Sequence, residues 1–337
     1  MTETVARHAA EAAEASPDKS LRVDGTRRRW FLIGGVAALL TVLAGFILAT
    51  ATTRAVGDAR LGVPAAHGQA VTREAFLGRT DWPTIFSLLF LVVSASILGY
   101  YLVASARHRA WHPALVVFAA LVAVAWVDPL GNWATTAIFD PQFLHFPTSW
   151  PWVRIAPGIE PVMIFVGYPF LFLVGALIAR GIHRRLARSR LRDWIALHPV
   201  LSAGLVGLSF GVAFDLVAQL FMMRAHMYVY AQHTPPAIRW DYVVVPWLPV
   251  LYDSTGIAAS TVLLVTGASP IRRRRQPSAM EAVAGHRPGM QIRHAWVLLS
   301  AAMLSVIAIG GILRATGLAT SSFPGSWPFH ETPDLRP

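Results

Sequence analysis

Carboxyl groups set inside long apolar stretches are the residues of this chain best suited to chemistry. An acidic side chain at the centre of a membrane helix costs about 2.5–3.5 kcal/mol on the insertion scale, so such a residue is a functional candidate by default. Asp215 stands in GLSFGVAFDLVAQLF, flanked by apolar residues, with no helix end nearby for it to cap. Gln219 lies four residues on and His226 eleven on, a spacing that predicts one helical face for all three. Arg224, nine residues on, points elsewhere and is a poor partner. Asp253 is the second such acid, in PWLPVLYDSTGIAAS. At about 1.5 Å per residue, Asp215 falls roughly 10 Å, and Asp253 roughly 12 Å, from the outer ends of consecutive antiparallel helices. Two carboxyls at matched depth can divide acid and charge-stabilising roles, because burial and hydrogen bonding set each one's proton affinity separately. Tyr252 and Ser254 flank Asp253 and predict a better solvated carboxyl there, so Asp215 reads as the acid. The structural alternative is a buried acid held by Tyr, Ser or Gln to lock the bundle.

Two further acids sit in a long segment, DPLGNWATTAIFDPQFLHFPTSWPWVRIAPGIEP, which carries six prolines and, up to Pro151, five Trp or Phe residues. Its composition predicts an amphipathic loop folded back over the bundle, with Asp128 and Glu160 at the mouth of a cavity. Each precedes a proline, so capping of a helix N-terminus is the competing explanation for both. Asp140-Pro141 reads as a turn. Other chemistry finds little support. There is no cysteine, hence no disulfide or thiolate metal site, and Lys19 is the only lysine. His108 and His112 form a single HxxxH, and His145, His226 and His233 fit no metal-ligand spacing. Neither a phosphate-binding GxxxxGK[ST] loop nor a GxSxG elbow occurs. No metal or other cofactor is therefore expected. Gly204, Gly207 and Gly211 read as a close helix-packing row.

These residues must be positioned by membrane helices. The chain has 337 residues, of which 55% are hydrophobic and 14% charged, with a mean hydropathy of +0.50. Soluble proteins carry about 25% charged residues, and a soluble surface this apolar would aggregate. Seven stretches are long enough to span: 30–50, 83–104, 111–127, 162–178, 199–222, 245–267 and 295–313. The expected fold is all-α, a bundle of about seven transmembrane helices at the cell membrane. Residues 1–29 read as a disordered tail, residues 30–314 as the membrane domain with loop 128–161 over it, and residues 315–337 as an outer tail. Loop charges alternate: 20 Lys/Arg against 7 Asp/Glu on one side, 9 against 11 on the other. The positive-inside rule places the N-terminus in the cytoplasm and the C-terminus outside. Basic loops beside anionic lipid account for the net charge of +11 and make nucleic acid an unnecessary partner. Arg28-Arg29 with Ala49-Thr50-Ala51 mimics an export signal, but an apolar stretch of about 20 residues exceeds the 7–15 of a signal core and reads as an anchor.

The acidic segments resemble the AveC-like spirocyclase family of actinobacterial membrane proteins. The resemblance rests on Asp128-Pro129 with Asn132, Trp150-Pro151, Glu160-Pro161, and Asp215 with Tyr228 and Tyr230. It departs at Gln219, where an acid is usual, and at Asp253, where glutamate is usual. The family's namesake closes a dihydroxy-ketone precursor of avermectin into a spiroketal and also dehydrates it. The resemblance therefore implies acid–base cyclisation or water loss on a hydrophobic polyketide- or lipid-like molecule. The expected catalytic set is Asp215, Asp253, Asp128 and Glu160, with Asn132, Trp150, Gln219, His226, Tyr228 and Tyr252 contacting substrate. The rival reading is a lipid or small-molecule binder, or a transporter, in which the acids hold a headgroup or carry protons.

Overall fold

The computed structural model describes residues 75–108, 111–140, 142–233, 235–240, 243–267, 288–317 and 320–321. The stretch at 30–50, the N-terminal tail, the arginine run at 272–275 and most of the C-terminal tail lie outside the described residues. The protein is mostly helical. Among the described residues, six helical spans are long and apolar enough to cross a membrane: Trp82–Arg107, Pro113–Thr135, Ile164–Leu186, Pro199–Arg224, Trp247–Thr266 and Gly289–Ala315. Large apolar side chains lie exposed along them, including Leu88, Val92, Val103, Val217 and Ile312. Lipid, not water, is the solvent such a surface suits.

The first described helix, α1 (Trp82–His108), leads into α2 (Pro113–Val124), the most enclosed element of the bundle. His112 starts α2 by accepting the Ala114 N–H on Nδ1 at 3.1 Å, and its ring stacks on Tyr101. That capping role uses one half of the HxxxH pair. A tight turn at Ala125–Val127 then carries the chain straight into α3 (Asp128–Thr135). The expected break at Asp128 does not occur. Asp128 is itself helical, at φ −56° and ψ −45°, and Pro129 stands in the first turn of α3, the part of a helix that tolerates a proline. The helix stops at Thr136, which takes a left-handed conformation (φ 56°).

The third span is composite: α4 (Ile164–Tyr168), a widened π turn at Pro169–Leu173, and α5 (Val174–Leu186). A proline inside a helix has no N–H to donate, and widening the turn accommodates it. Short α6 (Arg192–Leu197) precedes α7 (Pro199–Arg224), and α8 (Trp247–Thr266) and α9 (Pro288–Ala315) complete the bundle. The glycine row on α7 packs as its spacing predicts. A methyl group added at Gly207 would lie 2.8 Å from the Ala258 Cα, and one at Gly211 would lie 2.9 Å from the Ser254 Cα. Backbones this close leave no room for a side chain, so α7 and α8 are registered against each other there.

Among the described residues, three two-stranded antiparallel ribbons add to the helices, a feature absent from the all-α expectation. Strand β1 (Ala137–Phe139) pairs with β2 (Tyr228–Tyr230), β3 (Gln232–His233) with β6 (Thr320–Ser321), and β4 (Ala237–Trp240) with β5 (Val243–Pro246). The first ribbon ties the segment after α3 to the end of α7, with Ile138 opposite Val229. Buried Phe143, His145, Phe146, Val153 and Ile159 pack the rest of segment 137–161 against the protein. Asp140 forms a turn, accepting the Gln142 N–H on its carboxylate at 2.7 Å.

Candidate active site: two carboxyl pairs on one cavity

Residues 207, 211, 215 and 219 form a single i, i+4 row on α7, and all four are buried. Glycine occupies the first two positions, where α8 is closest; the next two carry Asp215 and Gln219. Asp253 precedes Ser254, the residue that touches the Gly211 position, so the helix register brings it opposite Asp215. Gln219 Nε2 donates to Asp215 Oδ2 at 2.5 Å and stands 3.5 Å from Asp253 Oδ2. Its Oε1 accepts the Tyr230 hydroxyl at 2.9 Å. The two carboxyls are also within hydrogen-bonding reach of each other. Asp215 Oδ1 is buried and has no donor among the described residues. A hydrogen bond between two carboxyls needs a proton on one of them.

A second pair is built in the same way. Asn132 Nδ2, one turn after Asp128 on α3, donates to Asp128 Oδ2 at 2.8 Å and to Glu160 Oε2 at 3.0 Å. The Tyr168 hydroxyl donates to Asp128 Oδ1 at 2.6 Å and lies 2.7 Å from the Tyr252 hydroxyl. Burial, and then the adjacent Asp128 charge, push the Glu160 carboxyl well above the usual carboxylate range. Glu160 is thus held protonated and hydrogen-bonded to Asp128, and its Oε1 is buried with no partner among the described residues. Each pair is therefore two acids linked by one amide side chain.

Both pairs border one cavity of about 90 Å³. Asp128, Asn132, Tyr168, Tyr228, Tyr230, Tyr252 and Asp253 supply its polar wall, and Phe90, Met163 and Met222 are among its apolar lining. Glu160, Asp215 and Gln219 stand behind that wall and do not line it. Tyr228 and Tyr230, two residues apart on β2, are hydrogen-bonded to each other. Burial pushes both phenols well above the usual tyrosine range, with the neighbouring carboxyls adding to it, so they remain O–H donors. At Gly131, an added methyl group would lie 3.1 Å from the Tyr252 hydroxyl. Glycine there lets that ring reach the α3 backbone.

A family model described as spirocyclase AveC-like matches residues 106–328, about two thirds of the chain, and covers both acid pairs and every polar residue of the cavity wall. The chain belongs to the AveC-like spirocyclase family. No curated protein and no solved structure matches it.

Several sequence expectations need correction. Neither Asp128 nor Glu160 caps a helix: α3 is preceded by Val127 without a side-chain cap, and α4 begins at Ile164, after Met163. Their oxygens face Asn132 and Tyr168 instead. His226 does not extend the Asp215 face, because α7 ends at Arg224 and His226 takes a left-handed φ of 55°. It does not line the cavity, and neither does Trp150, whose ring stacks on Phe146 at 5.8 Å. The hydroxyls flanking Asp253 are directed elsewhere. Ser254 bonds the Val250 carbonyl and Tyr252 bonds Tyr168. Tyr168, one turn into the third span, is a site residue the sequence reading does not single out, because a tyrosine near a span end is what an interfacial belt already explains.

Proposed function

We propose that this protein is a multi-pass enzyme of the cell membrane that cyclises a hydrophobic polyketide- or lipid-like dihydroxy-ketone with loss of water. The observation that carries this reading is the pair of hydrogen-bonded acid sites bordering one cavity in an otherwise apolar bundle. Family membership supports the same class of reaction.

Spiroketal closure suits such a site. One substrate hydroxyl adds to the ketone carbon, giving a hemiketal. Its new hydroxyl takes a proton and departs as water, leaving an oxocarbenium-like cation. The second hydroxyl then bonds that carbon and releases its proton. One proton enters and one leaves, so acids and carboxylates supply everything the steps need. In this scheme the Asp215–Asp253 pair delivers the proton to the departing hydroxyl, and the remaining carboxylate charge stabilises the cation. The apolar wall excludes water that would compete with ring closure.

The test uses bis(4-hydroxybutyl) ketone with the protein in lipid vesicles at neutral pH, following spiroketal by mass spectrometry against protein-free vesicles. Accelerated closure that is lost in Asp215→Asn supports the reading. If the ketone and hydroxylated lipids stay unchanged while one of them raises the melting temperature, the protein is a binder and the enzymatic reading fails.

A further inference from the structure

The Asp215–Asp253 pair accounts for proton delivery but not for the proton released by the second hydroxyl. The other acid pair is joined to the cavity by a chain of hydroxyls with a defined direction. The single Tyr168 proton goes to Asp128 Oδ1 at 2.6 Å. In the 2.7 Å contact between the two tyrosines, Tyr168 must then accept and Tyr252 must donate. That leaves the hydroxyl oxygen of Tyr252, a residue of the cavity wall, able to accept a proton from a bound molecule. At the far end, Asn132 donates to Asp128 Oδ2 and Tyr168 to Asp128 Oδ1, so both carboxyl oxygens stand as acceptors. The chain runs from cavity to carboxylate with every donor pointing the same way.

We infer that Tyr252 and Tyr168 form a proton link that makes the Asp128–Glu160 pair a second acid–base station, serving as the base of the site. This rests on the cyclase reading for its substrate, but not for its existence as a hydrogen-bonded link. As the second hydroxyl of the substrate bonds the cationic carbon, its O–H bond breaks and the proton passes to the Tyr252 oxygen. The Tyr252 proton moves to Tyr168, and the Tyr168 proton moves to Asp128. No electron pair leaves the protein, and both tyrosines end neutral. Tyr252 is the catalytic group that meets the substrate; Tyr168 acts through it. Glu160, held protonated, keeps Asp128 as the acceptor and gives the pair room for one further proton.

Tyr168→Phe cuts the link while leaving both its ends in place. With the ketone probe, kcat should fall about 10²-fold, the lower end of what general acid–base catalysis contributes, at unchanged KM. The acidic limb of the wild-type pH–rate profile, where Asp128 takes up its proton, should disappear. Tyr252→Phe should match it, and the double variant should be no slower than either single one, because both remove the same chain. A packing role would instead multiply the two losses and leave the limb in place, which would overturn the inference. A second measurement needs no turnover. In infrared spectra of the protein in nanodiscs, the protonated Glu160 carbonyl band, assigned by its loss in Glu160→Gln, should shift in Tyr168→Phe. A band that stays put overturns the link even if the protein is a cyclase. A shift in a protein inert toward the ketone keeps the link and discards only the cyclase reading.

Discussion

At the scale of single residues, the site is defined by what each carboxyl is bonded to. Asp215→Asn keeps the size of the side chain and an acceptor for Gln219, but removes the titratable proton. Turnover should drop by about 10²–10⁴ while the melting temperature holds or rises, measured on the same purified samples. Glu160 makes a prediction about pH and stability. Its carboxyl is raised in the folded protein, chiefly by burial, above the unfolded value of about 4.3. Between those two values the folded state binds more protons than the unfolded one, so stability falls as pH rises through that window. Glu160→Gln cannot ionise. Melting curves in detergent from pH 5 to pH 9 should slope downward for wild type and be flatter for the variant; parallel curves would mean that Glu160 ionises freely.

The helices decide which of these residues can meet. On α7 the same four-residue period that places Gly207 and Gly211 against α8 places Asp215 and Gln219 on that face. Contact and chemistry therefore share one register. Gly207→Ala puts a methyl group 2.8 Å from a backbone atom that cannot rotate away. It should cost about 1–3 kcal/mol and push α8, with Asp253, away from Asp215, lowering activity along with melting temperature. Gly204→Ala is the control, since its nearest neighbour would be the Val262 side chain at an ordinary 3.7 Å. It should leave both measurements within error of wild type. The π turn at Pro169–Leu173 begins immediately after Tyr168 on the third span.

Over the whole molecule, charge and apolar surface set the relation to the membrane. Basic residues divide 20 to 9 between the two sides on which the chain's alternating connections, tails and helix ends fall. A reporter fused at Ser189, between α5 and α6, should read as cytoplasmic, and one at Thr332 as external. The same side for both would overturn the topology. All the ribbons gather where α3 and α7 end and α8 begins, so the candidate cavity is capped by strands at that end of the bundle.

Helical spans, their apolar lengths, the glycine row and the four acids were all legible in the linear order of residues, because period and burial cost are local properties. The pairing of Asp215 with Asp253 followed from matched depth on consecutive helices, which is local information carried across one connection. What joined Asp128 to Glu160 was beyond such reading. The two are 32 positions apart and meet only because segment 137–161 folds back and Asn132 can reach both. Spacing alone put His226 on the Asp215 face; a left-handed residue after the helix end turned it away. Tyr168 and Tyr252 come from different spans, and the direction of their hydrogen bond exists only once α3, α4 and α8 are packed. Sequence determines which groups are costly enough to need partners, since that cost depends on the medium around a residue. Tertiary packing decides which partners they get, since a hydrogen bond depends on a few tenths of an ångström between atoms that no local period relates.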